Sequence, residues 1–217
     1  MKLTKVQIQY IENLLTKKGI KYWDLRIEMI DHIVSDIELR ATTQNFEKEL
    51  QAAFKRIGWN KNLAAVNRVG WQNVNKRYRT LFKNTFLGFF SSFKNLLVIG
   101  MLVILYFSFS ETISFQIFTR VSLALFIAPI LIIIGSLIWL FTKKFGKSVH
   151  INYGVFYFSF SFLMMNMIVQ FMRYTSEENQ KIIWLVMLPI YLTATYAGYQ
   201  VFKIAIKKIQ KIKKELV

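Results

Sequence analysis

Glu28, His32 and Asp36 follow one another at intervals of four, so a helix would carry all three on one face. Two carboxylates flanking an imidazole have the chemistry of a metal site or of an acid–base pair. A metal needs more ligands than this, and the chain offers no cysteine and one further histidine, His150, far along in a different loop. No Gly-rich phosphate loop, HExxH, Ser-His-Asp order or cysteine nucleophile is present. The expectation is therefore a protein with no catalytic residue, no metal and no cofactor. The three residues belong instead to a longer row, Asp24, Glu28, Asp31, His32, Asp36 and Glu38, in which Ser35 is the one gap. Such a row reads as a solvated face that takes a basic partner, either a cytoplasmic protein or the basic segment that follows.

Short helices must carry this row. Ile8, Ile11, Leu14 and Leu15 recur at helical spacing up to Lys17-Lys18-Gly19, which predicts a first helix over 4–18. In the second, Trp23, Ile27, Ile30, Val34 and Ile37 form an apolar seam beside the acidic row. After Thr42-Thr43-Gln44, Asn45 is a good cap for a third helix with Glu47 and Glu49 in its first turn. That helix carries Phe46, Leu50, Ala53, Phe54 and Ile57 and closes at Gly58. A core of this size is small, and Trp59, the next segment or a membrane would have to support it.

Glu28, Asp31, His32, Asp36, Phe46, Ala53, Ile57 and Gly58 carry a resemblance over residues 5 to 60. An antiparallel helix pair with an acidic, His-containing second helix, a polar turn and a Glu-rich third helix ending in Ile-Gly resembles the HAAS domain. That α-helical module precedes membrane spans in bacterial proteins often paired with PadR-type regulators. Thr42-Thr43-Gln44 replaces the glycine usual before the third helix, and Trp59 stands where a proline often follows. The resemblance implies a cytoplasmic signalling or regulatory role and brings no catalytic residues and no ligand.

Beyond residue 60 the composition changes. Residues 1–60 hold ten basic and eight acidic side chains, whereas 61–217 hold nineteen and four. Of the +17 net charge, +15 therefore lies beyond residue 60, which assigns the excess to topology and anionic lipid rather than to nucleic acid. Apolar stretches at about 95–110, 120–141, 151–172 and 182–202 approach the roughly 20 residues needed to cross a bilayer. The flanks on one side (61–94, the 142–150 loop and the tail) carry sixteen Lys and Arg, against Arg120, Arg173 and Lys181 on the other. That bias predicts a multi-pass protein of the bacterial inner membrane with both termini in the cytoplasm, inserted by its own spans without a signal peptide. The fold class expected is all-α: a three-helix cytoplasmic domain (1–60), a basic connector (61–94), a four-helix membrane bundle (95–203) and a basic tail helix (204–217).

The connector interleaves Trp71, Tyr78, Phe82, Phe86, Phe89, Phe90 and Phe93 with Lys76, Arg77, Arg79 and Lys83. That mixture suits an interfacial helix with rings at headgroup depth and cations on lipid phosphates. The first span's helix could begin as early as Thr85. In the tail, Lys207, Lys208 and Lys211 continue span four as a second lipid-facing basic stretch. No Asp, Glu, Lys, Arg or His lies mid-span, which argues against proton relays, ion-coupled transport and intramembrane hydrolysis. Asn166 and Gln170, one turn apart in span three, are expected to bond across to Tyr191, Thr193 or Thr195. Pro129 and Pro189 mark kinks in spans two and four, and Gly135, Ser136, Ala194 and Gly198 permit close helix packing. Two functions fit: a non-enzymatic membrane regulator or adaptor whose helical domain binds a protein partner, or an accessory subunit of a transporter or secretion complex whose spans pack against an integral membrane protein.

Overall fold

The structure, a computed structural model, describes residues 1–60 and 62–215; Lys61 and residues 216–217, the ends of the connector and tail readings, lie outside it. Among the described residues the chain is all-helical: α1 (Lys5–Lys17), α2 (Trp23–Arg40), α3 (Phe46–Arg56), α4 (Leu63–Phe90), α5 (Phe93–Thr112), α6 (Phe115–Thr142), α7 (Val149–Met172) and α8 (Glu177–Glu215). Helices α5 to α8 are long and apolar enough to cross a membrane. Two compact units emerge. The first gathers 1–76, 145–150 and 209–217; the second holds 77–144 and 151–208.

In the first unit local sequence sets each helix end. The Thr4 hydroxyl accepts from Gln7 N while the Gln7 side chain accepts from Thr4 N, a reciprocal cap for α1. Asn45 Oδ1 accepts from Lys48 N to open α3. Gly19 and Gly58 follow α1 and α3 at φ +88° and +75°, where a side chain would be strained. The core joins Ile11, Leu15, Leu25, Met29, Ile33, Ile37, Leu50 and Ala53. Its α2 row is Leu25, Met29, Ile33 and Ile37, rotated from the expected seam, with Ile30 and Val34 half-buried beside it. Because α2 packs on both α1 and α3, it buries more than one row, and periodicity alone chose the wrong one. Trp59, Leu63, Val66 and Trp71 pack against this core, so the first half of α4 completes the domain. Gly70 allows that approach: a Cβ there would meet Leu25 Cδ1 at 2.7 Å.

In the second unit α8 is the central helix, with half of its apolar window buried against 6 % in α5. Phe118, Phe126, Met172, Trp184, Met187, Leu188 and Tyr191 form its core. Helices α7 and α8 meet at small residues. A Cβ on Gly198 would lie 2.2 Å from the Tyr157 carbonyl oxygen, and one on Gly154 2.8 Å from the Ala205 Cβ.

The connector departs from expectation in two ways. Helix α4 ends at Phe90 and α5 starts at Phe93, so the first span does not reach back to Thr85. The Ser91 hydroxyl donates to Leu87 O and the Asn95 amide to Phe89 O, which satisfies carbonyls at the end of α4 and favours the break. Its rings, moreover, pack on protein. Phe82 meets Tyr157 and Phe160 of α7, and Phe89 meets Tyr196 of α8, with Tyr78 buried. Helix α4 thus crosses from α7 to α8 on its aromatic side.

Candidate functional site

Helix α2 opens with a buried carboxylate. Asp24 is 2 % exposed and accepts four hydrogen bonds. Its Oδ2 accepts from the Ser148 hydroxyl at 2.6 Å and from His150 N at 3.1 Å; its Oδ1 accepts from Val149 N and Leu25 N, each at 3.1 Å. Val149 and His150 begin α7, so Asp24 satisfies first-turn amides of a helix long and apolar enough to cross a membrane and lies at the positive end of its dipole. Charge-assisted bonds of this kind are about twice as strong as neutral ones.

The neighbouring residues fix the loop that presents those amides. Trp23 N donates to Lys147 O at 3.2 Å. Gly146 has φ +76°, and a Cβ there would come within 3.3 Å of the Trp23 ring. The Lys213 ammonium lies 5.9 Å from the Trp23 ring centroid and 5.1 Å from that of Phe145. One unit therefore joins the start of α2, the 145–150 loop and the end of α8.

A second polar cluster closes α2 onto α3. Asp36 Oδ2 accepts from Arg56 Nε at 2.8 Å, with Arg40 at 3.7 Å. Glu49 Oε1 accepts from the backbone amides and hydroxyls of both Thr42 and Thr43 at 2.9–3.3 Å. The Thr43 hydroxyl, more than any other group, holds the Glu49 carboxyl below its usual pKa, in spite of burial that pushes the other way.

The predicted acidic row is thereby divided. Asp24 and Asp36 point inward and are committed; Glu28, Asp31, His32 and Glu38 are exposed on the outer side of α2. Glu38 accepts from Leu3 N, and the His32 ring meets Trp59 edge-on at 6.1 Å between centroids. Glu28, His32 and Asp36 do not converge, because Asp36 is turned onto Arg56.

In span three, Asn166 is half-buried and Gln170 exposed, and neither makes a hydrogen bond among the described residues. Ser161 and Thr195 share a 2.8 Å hydrogen bond between α7 and α8. Pro129 is buried within α6, and the Tyr191 hydroxyl donates to the Phe126 carbonyl in the turn that Pro129 loosens. Pro189 lies inside α8, where Thr193 donates back to its carbonyl. Lys76, Arg77, Arg79 and Lys83 are exposed on α4 with no ion pair among the described residues. In the tail, Lys207 is exposed, Lys211 pairs with Glu215 at 3.8 Å, and Lys208 is half-buried and partnered.

Sequence reasoning missed the Asp24 clamp and the Glu49 cradle. Ser148 before an apolar helix was a legible start signal. Its carboxylate partner, 124 positions away, was not. Thr42-Thr43 and Glu49 were legible as a turn and a helix start without the bonds that connect them. The chain matches no family model, no curated protein and no solved structure.

Proposed function

We propose that this protein is a non-enzymatic regulator or adaptor of the bacterial inner membrane. Its cytoplasmic helical domain takes a protein partner on the exposed side of α2, through Glu28, Asp31, His32 and Glu38, and its four spans anchor that domain. The observation that supports this reading most is the Asp24 clamp. A partner on α2 bears on the helix whose first turn of side chains holds the start of α7, so occupancy at the surface has a covalent and hydrogen-bonded route to a membrane helix. The HAAS-like pattern of α1 to α3 supports the same role, and the unpaired cations of α4 suit anionic lipid of the inner leaflet, at about 1 kcal/mol per residue.

The test is purification in mild detergent through a tag at Met1, with mass spectrometry of whatever co-purifies in stoichiometric amount. A Glu28→Lys/Asp31→Lys/Glu38→Lys variant leaves Asp24 and Asp36 intact, so it is expected to fold normally and to lose a soluble partner. Undiminished capture of that partner by the folded triple variant would defeat the proposal.

A second reading, an accessory subunit of a transporter or secretion complex, rests on Asn166 and Gln170. Carboxamides in a span that make no hydrogen bond among the described residues suit a neighbouring membrane helix, at about 1 kcal/mol per bond. Under this reading Asn166→Leu/Gln170→Leu releases a co-purifying integral membrane protein. Retention of that protein by the double variant counts against it.

A further inference from the structure

A groove of about 370 Å³ opens within the second unit between α5 and α8. Val98, Leu102 and Tyr106 line it from α5, and Pro189, Leu192 and Thr193 from α8. Its hydroxyls are largely spent elsewhere. Tyr106 bonds to Ser122, and Thr193 donates to the Pro189 carbonyl at 2.8 Å. The walls therefore present hydrocarbon, inside a segment of the chain that is itself long and apolar enough to span a bilayer. Water gains nothing there, because a site must offer a water two to four polar partners.

The groove is open on one side and its walls are almost wholly hydrocarbon, so a flexible acyl chain can lie along it.

Charge selects further. Lys94, Val98, Leu102 and Tyr106 follow one another at intervals of four along α5, which puts Lys94 one turn beyond the groove-lining residues on nearly the same face. Lys94 is exposed and makes neither an ion pair nor a hydrogen bond among the described residues. A cation on a flexible stem at one end of an apolar trough is complementary to an anionic headgroup on an acyl chain.

We infer that the groove between α5 and α8 binds one acyl chain of an anionic phospholipid, with Lys94 on its phosphate. The site is separate from the basic side of α4, and it does not depend on which protein partner the chain takes.

The test uses the full-length protein, delipidated in detergent, titrated with palmitoyl-oleoyl phosphatidylglycerol or phosphatidylcholine and read by native mass spectrometry. One phosphatidylglycerol per chain is expected, preferred over phosphatidylcholine by about fivefold, the ratio that about 1 kcal/mol for one lysine implies. Lys94→Gln should reduce that preference to near unity. Leu102→Trp, which fills the groove, should abolish stoichiometric retention of both lipids, and Val98→Phe is a milder filler should the tryptophan impair folding. Equal retention of both lipids by the unaltered protein overturns the site. So does a phosphatidylglycerol preference that survives both the lysine and the groove-filling substitutions, since binding would then belong to α4.

Discussion

A carboxylate removed from water must find donors for both oxygens, and Asp24 finds four within its own unit. Asp24→Ala leaves the Val149 and His150 amides buried without an acceptor, at about 1–3 kcal/mol for each orphaned group. The expected outcome is a melting temperature lowered by several degrees in detergent and faster proteolysis of the 145–150 loop. Ser148→Ala, which removes one donor and leaves the amides capped, should cost only about 1 kcal/mol. If the two variants melt alike, Asp24 is not the clamp described here. Glu49 gives a different signature. Its folded pKa is depressed below the ordinary 4.5, so its stabilising contribution is full above 4.5 and is lost as pH falls through the folded value. Glu49→Gln should therefore melt lower than the unaltered protein at pH 7 and approach it as the pH is taken toward 3. A constant gap across that range would show the Thr43 cradle to be indifferent to the charge.

At the scale of elements, the α7–α8 pair is set by what its glycines exclude. Gly198→Ala places a methyl 2.2 Å from the Tyr157 carbonyl oxygen and 2.9 Å from Phe158 Cα, backbone atoms that cannot rotate away. The helices must separate, so the expected loss is about 1–3 kcal/mol or more, read as a lower melting temperature. Gly135→Ala, which meets nothing within 4 Å, is the matched control and should melt unchanged. Both glycines were visible in the sequence as small residues in apolar spans. Only Gly198 faces a partner, because a span that is apolar all round carries no periodic signal of which side packs. That is also why Asn166 and Gln170 read as internal glue, whereas Ser161 and Thr195 are a pair that bonds across. Where local chemistry decides, the reading was close: Thr4 and Asn45 cap α1 and α3, and Gly19 and Gly58 follow them. Where one helix touches two neighbours, as α2 does, two apolar rows compete, and the acidic row divided into inward Asp24 and Asp36 and outward Glu28, Asp31 and Glu38.

For the whole molecule, one observation constrains how the chain threads a bilayer. Residues 1–76, 145–150 and 209–217 form one compact unit, although α5 and α6 separate the first from the second and most of α7 and α8 separates the second from the third. If α5–α6 and α7–α8 cross a membrane as two hairpins, all three segments lie on one face of it, as the proposed topology requires. Our proposal that this face is cytoplasmic rests on the sixteen-to-three excess of Lys and Arg on 61–94, the 142–150 loop and the tail. The protein has no cysteine, so single exposed cysteines can report each loop without background. Gln44→Cys, Lys143→Cys and Lys214→Cys should resist a membrane-impermeant maleimide in intact cells and react once the membrane is permeabilised. Ser114→Cys and Thr175→Cys should react from outside in intact cells. Labelling of position 143 from outside while 44 stays protected would break the paired-hairpin arrangement, and with it the idea that Asp24 holds α7. Inversion of all five would keep the clamp but expose the acidic side of α2 outside the cell, where a cytoplasmic partner could not reach it.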